Sequence, residues 1–234
     1  MKEFLSVRGI EFESINVLEG ESGMAELRRL GARSVPVVAR GDKYVFAQLV
    51  GDVVKFLGLQ ETTAPELSPE ELARRLDAVL EAQLRYVRQM PAGALERQLP
   101  NRPRSYRVLL HHVFQIPNAF VDAVEGAGLS YENMVSEPPA EMRTTEDIAR
   151  FGGEVRRRVA TWWQGLADRS GTQTVETYYG RQPLHEVLER TTWHSAQHAR
   201  QVMSLLEQQG IAPDRPLGAR ELQGLPLPSK LWDD

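Results

Sequence analysis

PLHEVLERTTWHSAQHARQVMSLLEQQG, residues 183–210, has a helical period and an unusual inward face. Val187, Thr191, His194, His198, Val202 and Leu205 recur at steps of three and four. Such steps place residues on one face of an α-helix. The stretch is therefore predicted to be a helix that opens near Pro183 and stops at Gly210, with two histidines one turn apart on its buried side. Imidazoles at that spacing can reach one metal ion. His185-Glu186 resembles the start of a zincin motif, but Glu189 stands where the second histidine belongs, which excludes a protease of that type. His185 lies about 180° around the helix from His194 and is expected to face solvent.

A third histidine comes from a second predicted helix, from about Ser105 to Val124. Its inward stripe is Ser105, Leu109, His112, Ile116 and Phe120. His111 is about 100° from His112 and is expected to leave the core stripe. Pro117 predicts a kink, because proline removes a hydrogen bond and crowds the preceding turn. His112, His194 and His198 together make a three-imidazole set suited to zinc, nickel, iron or cobalt, with at least one coordination position left for water or substrate. The alternative is that they are core histidines with hydrogen-bond partners, but three buried imidazoles without an ion need several such partners.

Two further helices complete a bundle. Ser68-Pro69-Glu70-Glu71 reads as a capping box with proline at the first helical position. Leu72, Leu76, Val79, Gln83 and Tyr86 follow on one face. Thr144 with Asp147 opens another helix, with Ile148, Phe151, Val155, Val159 and Trp162 inward. A Gly- and Pro-rich loop spans Gly126 to Met142, and Thr172 to Tyr179 is extended. The long middle connections suggest a bundle that is not simply up-down-up-down. The Pro-containing stretch 213–234 is expected to be an irregular tail laid against it.

The first 59 residues read differently. A helix ends near Arg8, Glu11 to Val17 alternates as a strand would, and Gly20 to Leu30 is helical. Val35 to Arg40 and Lys43 to Gln48 form a hairpin turning at Gly41-Asp42. Asp52 to Leu59 is a final short helix. The organisation expected is an α/β unit at 1–59, a polar linker at 60–67, a four-helix bundle at 68–212 and a tail at 213–234. The fold class is thus α+β with two domains.

Composition narrows the chemistry. The 234 residues contain no cysteine, which removes disulfides, thiolate ligands and cysteine nucleophiles. The net charge of −4 sets up no general attraction for nucleic acid or an acidic membrane. No signal peptide or membrane-length apolar run is read, so a cytoplasmic protein is expected. Arg156-Arg157-Arg158 is expected to be a solvated helix face. Arg102, Arg104 and Arg107 flank the start of the second helix, where they could meet a carboxylate. Trp162-Trp163 reads as helix packing, and Trp193 as a candidate pocket wall beside the histidine pair.

Leu110-His111-His112-Val113, together with Trp193-His194-Ser195-Ala196-Gln197-His198-Ala199-Arg200-Gln201, resembles the DinB-like superfamily of metal-binding four-helix bundles. The resemblance implies metal ligands at His112, His194 and His198, with Gln201 in the position that often follows the last pair. It also implies one divalent ion (Zn, Ni or Fe) and, by analogy with thiol S-transferases of that superfamily, a low-molecular-weight thiol cosubstrate. Residues 2–17 (KEFLSVRGIEFESINV) and 33–38 (RSVPVV) resemble a glutaredoxin from its first helix onward, with Pro36 at the cis-proline of the thiol site. Its first strand and CxxC are missing, and Ala47-Gln48-Leu49 replaces the usual glycine-containing turn. Thiol–disulfide exchange is therefore closed to this chain alone. The expectation is a metal-dependent enzyme, a thiol S-transferase or hydrolase acting on a small electrophilic substrate. It is expected to be a homodimer without nucleic acid or membrane partners. The alternative is a non-catalytic metal-binding, dimerisation or stress-response protein carrying a redox-inactive glutaredoxin-like module.

Overall fold

A computed structural model of the chain describes residues 1–17, 20–60, 64–99 and 103–232. The chain divides into two compact units, Met1–Ala64 and Pro65–Asp234. Glu61 to Thr63 of the expected linker and Arg102 lie outside the described residues. Both helices and strands are present, so the fold is a mixed α/β one. No helix among the described residues is long and apolar enough to cross a membrane.

The first unit contains α1 (Lys2–Val7), α2 (Gly20–Arg29), β1 (Val37–Arg40), β2 (Lys43–Phe46) and α3 (Val50–Leu57). The two strands pair antiparallel with Arg40 opposite Lys43, which leaves Gly41-Asp42 as the two-residue connection. Leu5, Ala47 and Val53 are buried together, with Phe4, Ile10, Val38, Val45 and Leu57 packed around them. Residues 11–17 are not a strand. Alternation alone does not make one; a neighbouring strand must accept the hydrogen bonds. The segment instead ends against α2, where Gly23 admits it. A Cβ at Gly23 would stand 2.6 Å from the Asn16 carbonyl oxygen and 2.8 Å from Val17 Cα. Phe12 and Ile15 remain exposed.

The second unit is built on four long helices: α4 (Pro69–Gln89), α5 (Tyr106–Asp122), α7 (Thr145–Gly165) and α8 (Leu184–Gln208). The short α6 (Tyr131–Met134) lies between α5 and α7, in the stretch expected to be loop. Both α4 and α5 pack against α7 and α8. α4 and α5 thus sit on one diagonal of the square and α7 and α8 on the other, while α5 and α7, consecutive in the chain, are neighbours. The inward faces are apolar: Leu72, Leu76, Val79, Leu109, Ile116, Val187, Val202 and Leu205 are fully buried. Ser68 accepts from the Glu71 amide at 3.2 Å. Glu71 turns to Arg74 and Arg75 rather than back to Ser68, so the expected capping box is one-sided. The Thr144–Asp147 box is reciprocal, with bonds of 3.1 and 3.0 Å. α5 continues across Pro117; its departure from α geometry comes later, as a π turn at Ala123–Ala127.

Between α7 and α8, β3 (Thr174–Thr177) pairs with β4 (Gly180–Pro183), joined by Tyr178-Tyr179. Extended chain is expected from the sequence for β3 but not for β4, whose Gly-Arg-Gln-Pro lacks strand formers. Beyond α8 the tail holds one short helix, α9 (Ala219–Leu222). It runs along the bundle: the Leu217 amide donates to the buried Tyr86 hydroxyl at 3.1 Å, and the Asp214 amide to Gln89 at 2.8 Å.

Candidate metal centre

His112 points inward from α5 between Leu109 and Ile116, and His194 and His198 point inward from α8. Because α5 packs on α8, the three imidazoles converge. One nitrogen of each lies within 4.8 Å of the others. Ring centroids are 5.0 Å apart for His112 and His198, 5.9 Å for His112 and His194, and 4.8 Å for His194 and His198. Nitrogens on a tetrahedral zinc stand about 3.3 Å apart, so small side-chain rotations would close the set on an ion.

Electrostatics favour the ligand form. Burial, reinforced by His198, holds the His112 and His194 imidazoles well below their ordinary range, and the guanidinium groups of Arg104 and Arg190 push the same way. Both rings are therefore neutral at neutral pH, with a lone pair available. The His198 tautomer is set by its neighbour. The Gln201 amide donates from Nε2 to the Leu231 carbonyl at 2.9 Å, which turns Oε1 to accept from His198 Nδ1 at 2.7 Å. The lone pair of His198 is then on Nε2. Such a partner fixes a ligand's orientation and raises its basicity. Buried Nδ1 of His194 has no hydrogen-bond partner among the described residues. Orphaned nitrogen in a converging set of imidazoles is the donor chemistry a divalent ion satisfies. Trp193 stacks on His194, with ring centroids 5.5 Å apart and planes 18° off parallel.

The other histidines depart from expectation. His111 is buried, 3% exposed, and stacks on Phe151 of α7 at 5.1 Å. α5 packs on both α7 and α8, so a 100° step from one inward stripe leads into a second seam, not to solvent. Burial, then Arg107, pushes its pKa down to about 4. His185 is half-buried, and its Nε2 sits 2.8 Å from the Leu67 carbonyl, tying the start of α8 to the chain preceding α4.

Pro36 follows a cis peptide bond and is exposed in the first unit. Arg156 pairs with Asp77 at 2.6 Å, and Arg158 with Asp122 and Glu125 at 2.9 and 2.7 Å. Two of the three consecutive arginines are thus taken up by carboxylates, not by a solvated face. Trp162 packs edge-on against Phe120 at 4.9 Å. Arg107 lies 3.4 Å from Glu96.

Two residues near the histidines carry no signal of their place in the local sequence pattern alone. Arg190 is one helical turn before His194 and only 3% exposed. Leu231 reaches Gln201 from the far end of the tail, and no local pattern marks that contact. No family model matches the chain, and no curated protein matches it either.

Proposed function

We propose that the second unit is a DinB-like bundle that holds one divalent ion, zinc, nickel or iron, on His112, His194 and His198. The site would serve a thiol S-transferase or hydrolase acting on a small electrophile. The observation that carries this reading is the convergence of three imidazoles from two helices to within 4.8 Å. An ion bound there supplies Lewis acidity, which brings the pKa of a small thiol or of water toward neutrality. The chain's own part is to hold the donors. His112 and His194 keep their lone pairs because burial suppresses protonation, and Gln201 aims His198. Three protein donors leave room for a cosubstrate. The chain has no cysteine of its own, so a thiol at this site would come from outside it. On the same reading, the first unit is a glutaredoxin-like module to which this chain brings no cysteine, and the protein is a cytoplasmic homodimer.

Elemental analysis of the wild type and of His194→Ala tests the site. About one ion per chain in the wild type, lost in the variant, is the expected result, and it leads directly to a screen of thiols against electrophiles. A wild type without metal after reconstitution overturns the proposal.

A further inference from the structure

Residues 228–231 belong to no helix or strand. They are held along α8 by side chains that donate to main-chain carbonyls. Gln197 donates to the carbonyls of Lys230 and Leu231 at 3.2 and 2.9 Å, Arg200 to that of Pro228 at 2.9 Å, and Gln201 to that of Leu231 at 2.9 Å. Gln197 and Gln201 are both buried. Gln201 differs from the other two in its second contact, because its Oε1 accepts from Nδ1 of His198 at 2.7 Å. One amide therefore joins an imidazole of the triad to the tail. Its two ends are not interchangeable: the oxygen must face a donor and the nitrogen an acceptor.

We infer that Gln201 is a positioning residue through which occupancy of the triad controls the docking of residues 228–231, so that this segment is a strap locked by the ion. The inference rests on the metal reading. With His198 Nε2 given to an ion, the ring proton stays on Nδ1, and Gln201 must present Oε1 to the ring and Nε2 to the Leu231 carbonyl. In ion-free protein a neutral imidazole can also carry its proton on Nε2. Nδ1 is then an acceptor, and Gln201 must turn its amide over to satisfy it. That turn brings Oε1 to face the Leu231 carbonyl, acceptor against acceptor, and the strap loses a bond. The docked strap and a bound ion thus select the same tautomer. Such coupling is reciprocal: the factor by which the docked strap raises zinc affinity is the factor by which zinc favours docking of the strap.

Lys230 supplies the readout. It is exposed while its carbonyl is held by Gln197, so trypsin cuts after it when the strap lifts. The test follows release of residues 231–234 by mass spectrometry, from the full chain without ion and with zinc, beside a zinc titration of the same samples. The expected result is a cut about threefold to tenfold slower with zinc, and no slowing in His194→Ala, which takes up no ion. Gln201→Glu separates the two contacts, since its carboxylate still accepts from Nδ1 but cannot donate to Leu231. That variant should take up zinc and be cut at one rate with or without it; the wild-type comparison stands alone if it fails to fold. Zinc uptake with an unchanged cutting rate overturns the inference and leaves the metal reading standing. Failure to take up zinc overturns both. Protection by zinc retained in folded Gln201→Glu overturns the route through Gln201.

Discussion

Nδ1 of His198 donates to Oε1 of Gln201 at 2.7 Å, and through that one amide the histidine is tied to the tail, because Gln201 Nε2 donates to the Leu231 carbonyl at 2.9 Å. The neighbouring Gln197 donates to Lys230 and Leu231 carbonyls at 3.2 and 2.9 Å, and Arg200 to the Pro228 carbonyl at 2.9 Å. One face of α8 therefore reads the tail while the adjoining face carries the metal donors. Replacing Gln201 by leucine keeps the volume and removes both hydrogen bonds. Zinc affinity, measured by competition with a chromophoric chelator, is expected to fall about 10- to 100-fold with helicity retained. An unchanged affinity would show that Gln201 does not orient His198.

Removing residues 228–234 makes a graded version of the same point. The Gln201 amide loses its acceptor but not its contact with His198, so it becomes free to rotate. Zinc affinity should fall by less than in Gln201→Leu, about threefold to tenfold. The order of the two losses is the check: a truncation more damaging than Gln201→Leu would mean that the tail shapes the site by another route.

The four long helices are legible in the sequence because each has an apolar stripe of helical period, and the stripes on α5 and α8 carry the histidines with them. The expected caps are partly legible: Thr144–Asp147 closes as a box, whereas Glu71 has two arginines within reach and prefers them. His111 is misread because a stripe analysis assumes one buried face per helix, and α5 has two. The segment 11–17 is misread because strand pairing depends on a partner elsewhere in the chain. Arg190 and Leu231 escape for a related reason: their roles come from a hairpin turn and a tail that fold back onto α8, and nothing local to either position announces it.

Acid should destabilise the second unit through its buried histidines. The ordinary imidazole value is near 6.5, and in the folded chain His111 is pushed down to about 4, with His112 and His194 also well below the ordinary value. Between those limits the unfolded chain binds more protons than the folded one, so stability is full above about pH 6.5 and is lost as pH falls toward 4. His111 alone contributes a loss of about 3 kcal/mol by pH 4. Denaturant midpoints of ion-free protein across this range should decline, and His111→Phe, which keeps a ring against Phe151, should flatten the decline. The same slope in wild type and variant would remove His111 from the account.

The packing of α5 on α7 depends on a missing side chain. A Cβ at Gly152 would stand 2.5 to 2.7 Å from three atoms of the Phe114 ring, which is fully buried and held on every side. Gly152→Ala gains about 1 kcal/mol of helix propensity. Against this, forcing a methyl into a filled core costs about 1–3 kcal/mol, since the ring must shift or the helices separate. A net loss of about 1 kcal/mol or more is expected by denaturant titration. The companion change Gly153→Ala, one position on, meets nothing nearer than the end of the Arg157 side chain at 4.0 Å. It should stabilise the helix by up to about 1 kcal/mol. Opposite signs at adjacent glycines, with the same change in propensity, would assign the difference to the α5–α7 contact; equal signs would mean the seam has slack that the static packing does not show.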